Sequence, residues 1–464
     1  MKRFLLLSVF VFFVCITSIF GQAKYVFFFI GDGMGVDLVN ITDAYLSELN
    51  GKRGSASLLM TQFPVASMVT TYSANSDVTD SAAAGTALAT GVKTNNGFIG
   101  VDPNENPLET IAEKAKKAGK KVGIVSTVPI NHATPASFYS HRKGRNMYYE
   151  IAENLLTSTF EYYAGAGFLN RNKRTDNTDA PDIYPLVEQA GYAIIKGYDD
   201  YKANAGKFNK VLLLPKNWEV SVDIPYAIDR TDDDLTLKQM TEAGIDMLTR
   251  DNKKGFFFML EGGRIDWSAH GNDAMTTIRE IIDMDEAIQV AFEFYQKHPK
   301  ETLIVISADH DTGGITAGRS NLRIGYLQYQ KQSQDVLTRL ITDLRTEKQG
   351  KSSWEDIKNL LTETMGFWKK VTLVKEQEQM LVDTYNEIAA KNTDPKDRNF
   401  NAESASISAK AKQIMNEVSY LGWSTGGHSA GYVPVYAIGV GQELFTHKMD
   451  NTEIPKKIAK AAKY

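Results

Sequence analysis

Cysteine is nearly missing from this sequence: among 464 residues there is one, Cys15, and it sits inside an N-terminal apolar run. Beyond that run a disulfide framework is excluded, so stability must come from core burial and from any bound metal. An excess of charge of one sign is missing as well. With 52 Lys and Arg against 56 Asp and Glu, the net charge is -4, and no basic excess of the kind that nucleic-acid binding needs is present. Repeats and low-complexity tracts are absent. A run long enough to span a membrane is missing too. Lys2-Arg3, an apolar stretch from Phe4 to about Ile19 and the small or polar pair Gly21-Gln22 form the pattern of a cleaved secretory signal over residues 1–21. The stretch is short for a span and has no stop-transfer flank, so no membrane span is expected after cleavage; an uncleaved N-terminal anchor is the second reading. Phe13-Val14-Cys15-Ile16 is not a lipoprotein box. A periplasmic or secreted location is the expectation.

What remains, residues 22–464, reads as a single globular domain, 43% hydrophobic and 23% charged over the whole chain. Apolar runs at Tyr25 to Ile30, Val122 to Val125, Phe256 to Leu260, Leu303 to Ile306 and Val433 to Val440 predict buried parallel strands. Between several of them lie amphipathic helical patterns, such as Ile278, Ile281, Ile282, Ala287, Ile288, Val290 and Ala291, read as core. The alternation predicts a three-layer α/β/α sandwich around a mostly parallel sheet. From about 324 to 420 the character changes to long polar helices, with Val336, Leu337, Leu340, Ile341 and Leu344 at helical period, which reads as an insertion. Lys391 to Ala409 is expected to be a flexible loop.

Thr79-Asp80-Ser81-Ala82-Ala83-Ala84-Gly85-Thr86-Ala87 puts a hydroxyl at the start of a small-residue helix, beside a carboxylate. Unpaired N–H groups and the positive end of the helix dipole there suit an alkoxide attacking phosphorus. The plainer alternative is a capped, buried, alanine-rich helix. Ligands of open α/β sheets gather beyond the carboxyl ends of the strands. In this chain those ends carry Asp32 in Gly31-Asp32-Gly33-Met34-Gly35, then Glu261, Asp266 and His270, then Asp309 and His310. A carboxylate inside the glycine turn disfavours a dinucleotide pyrophosphate and favours a cation. Asp266 and His270, four apart, share one face of a helical turn. His428, in Thr425-Gly426-Gly427-His428-Ser429, precedes the last apolar run. Each alone is weak, and His141, His298 and His447 are read as surface or hydrogen-bonded histidines. Together the mixed nitrogen and oxygen donors suit zinc, and a carboxylate and hydroxyl subset suits magnesium.

Gly31-Asp32-Gly33-Met34-Gly35, Asp80-Ser81-Ala82, Gly91-Val92-Lys93-Thr94, Glu261-Gly262-Gly263-Arg264-Ile265-Asp266, Ala308-Asp309-His310 and His428 occur in the order in which they stand in the alkaline phosphatases. The chain resembles that family over nearly all of its length outside the helical insertion. The resemblance implies a phosphomonoester hydrolase with a phosphoserine intermediate on Ser81, two zinc ions and one magnesium ion. It implies Asp266, His270 and His428 as ligands of one zinc, and Asp32, Asp309, His310 and Ser81 at the other. Asp32 is then shared with a magnesium held by Thr134 and Glu261, and Arg145 takes the place of the phosphate-binding arginine, with Arg142 as its rival. The implied crown-like insertion suggests a homodimer, and the implied partners are small phosphomonoesters.

Two positions depart from the best-known bacterial pattern: His132 stands where that pattern has an Asp, and Trp267 where it has a Lys. The exchange is expected to loosen the hold on phosphate and to raise turnover and pH optimum. A phosphodiesterase or sulfatase of the same superfamily is the second reading. A non-enzymatic metal or phosphate binder would need a lost ligand or nucleophile, and none is missing. An oxidoreductase reading of the glycine turn ranks last.

Overall fold

The computed structural model describes residues 21–464 apart from 55–56, 220–222, 320 and 392–393. The signal segment expected over 1–21 therefore lies, except for Gly21, outside the described residues. No helix among the described residues is long and apolar enough to cross a membrane.

All five apolar runs form strands of one ten-stranded sheet. Tyr25–Gly31 is central, flanked by parallel Phe256–Gly262 on one side and parallel Thr302–Ala308 on the other. Lys121–Ser126 follows beyond Phe256–Gly262, then Tyr162–Ala164, Val211–Leu214 and Ala193–Lys196, all parallel. Every residue of the three central strands is buried. That explains why they read as unbroken apolar runs rather than as alternating patterns. Aromatic rings fill the layer between sheet and helix: Phe27 and Phe256 meet edge-on at 5.1 Å, and Tyr25 meets Phe294 at 5.0 Å. Phe294 comes from the helix Ala274–Lys297, whose inward face carries Ile278, Ile281, Ala287, Ile288 and Ala291, as the periodicity predicts, while Ile282 and Val290, also read as core, are only half-buried.

One strand corrects the expectation. Val433–Gly439 runs antiparallel to both of its neighbours, Thr302–Ala308 and Val65–Thr70. Its apolar run carries no record of direction, since burial on both faces is satisfied either way. The reversal matters for chemistry: the start of this strand, rather than its end, lies level with the carboxyl ends of the parallel strands. The short strand His428–Ser429, just ahead of it, pairs with Asp311–Thr312, just after Thr302–Ala308.

The polar stretch forms helices Gln334–Glu347, Trp354–Met365, Lys375–Lys391 and Phe400–Val418. Residues 400–409, expected as loop, are the first half of the last of these. They are ordered by Arg345, a buried guanidinium that donates to the Phe400 carbonyl at 2.8 Å and to Ser404 at 2.9 Å.

Candidate active site

Ser81 opens the helix Ser81–Thr90, all ten residues of which are buried. Asp80 caps it: its backbone is extended and its carboxylate accepts from Ala83 N at 2.9 Å. Gly85 allows the close approach, because a Cβ there would lie 2.9 Å from Ser137 Oγ in the neighbouring turn. The Ser81 side chain is thus held on the sheet's ligand-bearing edge.

The register of the central strands brings the acidic residues together. Gly31, Gly262 and Ala308 are aligned across three strands, so Asp32, Glu261 and Asp309 emerge at one level. Gly33, with φ +71°, turns the chain sharply enough for its N–H to donate to Asp309 Oδ1 at 3.0 Å; His310 N donates to the same oxygen at 2.9 Å. Asp309 Oδ2 is left without a donor, as are both oxygens of Asp32 and Glu261 Oε1, all buried. Carboxylates crowded in this way resist ionisation. Burial, followed by the fields of Asp309 and Asp266, drives Asp32 well above its ordinary range, and burial pushes Glu261 up to about 8. Ser126, at the end of its strand, donates its hydroxyl to Glu261 Oε2, which works against that rise, and the buried Thr134 hydroxyl has no hydrogen-bond partner.

The imidazoles complete the arrangement. His310 Nε2 lies 3.3 Å from Asp32 Oδ1 and 3.3 Å from Asp309 Oδ2. His270 and His428 place Nε2 at 3.3 and 3.7 Å from Asp266 Oδ1. The helix Arg264–His270 supplies the four-residue spacing. His270 Nδ1 meets the Gly426 carbonyl at 2.7 Å, and His428 Nδ1 meets the Thr79 carbonyl at 2.8 Å. A carbonyl partner takes the Nδ1 proton, so a neutral ring would present its Nε2 lone pair to a cation. The Asp266 hydrogen bond raises His270 to about 9 and puts a proton on its Nε2, which must leave before that atom can ligate. Burial opposes the charge on Asp266, but the His270 hydrogen bond and the nearby imidazoles outweigh it and hold the carboxyl far below its usual range. Thr312, a further residue the sequence did not single out, donates to Asp266 Oδ1 at 2.6 Å and lies 3.2 Å from His310 Nδ1.

Among the described residues two groups bring their ligand atoms within 4.8 Å of one another: Asp32, Asp309 and His310; and Asp266, His310 and His428. The first is the set expected from sequence. In the second, His310, stacked on His428 with ring centroids 3.6 Å apart, stands where His270 was expected. Buried carboxylate oxygens without donors, facing imidazole lone pairs, are what a divalent cation would satisfy, so the donor set fits zinc and magnesium.

Ser81 Oγ lies 3.1 Å from His310 Nε2. Arg145 donates to Asp80 Oδ2 at 3.0 Å, which directs its guanidinium to the serine turn. Arg142 instead donates to the Glu150 carbonyl. His132 is half-buried, its value pushed down to about 4 by desolvation and then by Arg145, and its ring meets Trp267 edge-on at 5.7 Å. Arg264 stacks over Trp267 at 4.9 Å. Of the remaining histidines, His141 is bonded to Gly100 O and Glu113, and His298 caps the end of its helix.

A mostly parallel α/β sheet whose strand ends gather such donors around a helix-capped serine defines a hydrolase built on a candidate metal centre. A family model described as alkaline phosphatase matches residues 23–165 and 172–464. Alkaline phosphatase 3 of Bacillus subtilis (strain 168) is 34% identical over 96% of this chain and 90% of its own length. The crystal structure of a cold-active alkaline phosphatase from the psychrophile Shewanella sp. is similar at a TM-score of 0.78 with 28% identity, covering 94% of this chain and 99% of that one. A histidine-to-aspartate mutant of TAB5 alkaline phosphatase, with Mg bound in the M3 site, gives 0.66 and 27% over 96% of this chain and 99% of that one. The chain belongs to the alkaline phosphatase family. It is an enzyme, a phosphomonoester hydrolase.

Proposed function

We propose that this chain hydrolyses small phosphomonoesters at alkaline pH by passing the phosphoryl group to Ser81, with two zinc ions and one magnesium ion at the strand ends. The observation that carries the reading is the Ser81 hydroxyl, 2% exposed at a helix start and 3.1 Å from an imidazole shared by both donor groups. Asp266, His270 and His428 would hold one zinc, and Asp32, Asp309 and His310 with Ser81 the other. Glu261, Thr134 and the shared Asp32 would hold magnesium, and a related protein, a histidine-to-aspartate mutant of TAB5 alkaline phosphatase, has Mg bound in its M3 site. When bound, such ions supply Lewis-acid stabilisation of the oxygens entering and leaving phosphorus.

The chain's own residues do the rest. Burial of Ser81 keeps bulk water from the attacking oxygen. Its helix start directs N–H dipoles at the phosphoryl group. Arg145, held charged by Asp80 against burial that opposes it, presents a planar fork to two phosphoryl oxygens. The Nδ1–H groups of His270 and His428 donate to backbone carbonyls throughout, so neither ring turns during the cycle. We infer a homodimer in solution, which a monomer by sedimentation at micromolar concentration overturns. The leader pattern and the chain's freedom from thiols after it support action in the periplasm or outside the cell.

The test is phosphate release at pH 8 to 10 from an aryl phosphomonoester, its diester and its sulfate ester, with chelated protein before and after zinc and magnesium are added. Hydrolysis restored by metal and confined to the monoester is the expected result. Faster diester or sulfate cleavage points to the related hydrolases instead.

A further inference from the structure

The stretch Gly91-Val92-Lys93-Thr94 leads into Asn95-Asn96-Gly97, and none of these residues belongs to the donor groups. Yet the Asn96 side chain grips the backbone on both sides of Thr79. Its Nδ2 donates to the Val78 carbonyl at 3.0 Å, and its Oδ1 accepts from Asp80 N at 3.2 Å. The next residue completes a circuit: Gly97 O accepts from Arg145 N at 2.7 Å, and the Arg145 guanidinium returns to Asp80 Oδ2 at 3.0 Å. Asn96 is itself fixed, because its N–H donates to Asn75 Oδ1 at 2.9 Å. The gripped segment also presents the Thr79 carbonyl to His428 Nδ1 at 2.8 Å.

We propose that Asn96 is a positioning residue that holds Ser81 and Arg145 in one register for phosphate capture. The inference rests on the phosphomonoesterase reading and adds a residue to it. An amide that takes an N–H and gives to a C=O two residues away substitutes for a strand partner, and it keeps Asp80 extended with ψ 168° at the helix cap. Without it the cap is free to rotate. The carboxylate that orients Arg145 and the turn that carries Ser81 then move independently of the Arg145 backbone. Small displacements at such centres are felt strongly in rate and in ligand affinity.

Lys93 provides the control. It anchors the same loop through Asn451 Oδ1 at 2.7 Å and Asp450 at 3.0 Å, and bonds neither the serine turn nor Arg145. Wild type, Asn96→Ala and Lys93→Met are compared, purified with their metals, for melting temperature, kcat, KM, inhibition by inorganic phosphate and calorimetric phosphate binding. Asn96→Ala is expected to weaken phosphate binding and raise KM by about tenfold, the equivalent of one or two lost hydrogen bonds. Lys93→Met lowers the melting temperature and leaves phosphate binding unchanged. A merely structural role for Asn96 lowers the folded fraction, and with it kcat, while KM and phosphate affinity stay at wild type; that outcome overturns the inference. Should Asn96→Ala fail to fold, Asn96→Ser carries the same measurement with the same two outcomes. Wild type without monoester hydrolysis overturns the activity reading itself, a result distinct from wild-type phosphate affinity in the variant.

Discussion

The hydroxyl oxygen of Ser81 stands 3.1 Å from Nε2 of His310, so the seat of the nucleophile and the two donor groups share one imidazole. Ser81→Ala removes one small polar atom from a buried helix start and is expected to fold normally. Turnover of an aryl phosphomonoester should fall by a factor on the order of 10³ or more. Phosphoryl label trapped on the wild-type protein at low pH should vanish in the variant; label retained on Ser81→Ala would place the nucleophile elsewhere.

Arg145 and Arg142 separate cleanly by their partners. Arg145→Gln should raise KM and weaken phosphate inhibition by about 10- to 100-fold, the range for charge-assisted hydrogen bonds. Arg142→Gln loses contacts to the Glu150 carbonyl and should lower stability with little change in phosphate affinity. Steady-state inhibition by inorganic phosphate reads both.

Removal of metal should cost stability as well as activity. Asp32, Glu261 and Asp309 keep buried oxygens that no donor reaches, and a cation at a hundred times its Kd stabilises the folded chain by about 2.7 kcal/mol. Thermal unfolding of chelated protein should therefore shift several degrees downward and return on addition of zinc and magnesium. An unchanged melting curve under full chelation would count against cation binding at these residues.

Trp267 lies between the His132 ring and the Arg264 guanidinium. Trp267→Lys adds a cation near the phosphate-binding edge and should tighten product inhibition while slowing turnover. Unchanged phosphate inhibition would remove Trp267 from the account of weak product retention.

The His141–Glu113 pair sets a pH window for stability. Burial opposes both charges, but their mutual hydrogen bond outweighs it, raising His141 above 6.5 and lowering Glu113 below 4.5. The His141 contribution is complete below pH 6.5 and is lost as pH rises through its folded value. The Glu113 contribution is complete above pH 4.5 and is lost as pH falls through its folded value. Stability of wild type over His141→Gln should be greatest between those limits, about 1 kcal/mol or less for a part-exposed pair, and should shrink on the alkaline side. Denaturant midpoints from pH 5 to 8 give the comparison.

Much of the site was legible because its chemistry is concentrated at strand ends. Unbroken apolar runs reported strands buried on both faces, and the polar residues just beyond Gly31, Leu260 and Ala308 had nowhere to lie but the sheet edge. Strand direction was not legible at Val433–Gly439, where the same residues satisfy a parallel or an antiparallel neighbour. Residues 400–409 read as loop because the Arg345 guanidinium that anchors them comes from 55 positions earlier than Phe400. Proximity across the chain also explains why His310, rather than His270, falls within the tight group with Asp266 and His428. Ser126 followed the strand-end rule and could have been found by it. Asn96 could not, since it acts on backbone atoms and carries no donor chemistry of its own.

The reversed direction of Val433–Gly439 has a bearing on how the molecule comes into being. The central parallel strands carry their site residues at or just beyond their carboxyl ends, whereas this one carries His428 ahead of itself and must still dock between Thr302–Ala308 and Val65–Thr70 to bring that imidazole in. A chain made from its N-terminus therefore has the strands from Tyr25–Gly31 through Thr302–Ala308 behind it before His428 is added. Until His428 is brought in, Asp266 and His310 lack the third member of their group, so the acidic side of the site is built before the imidazole that balances it.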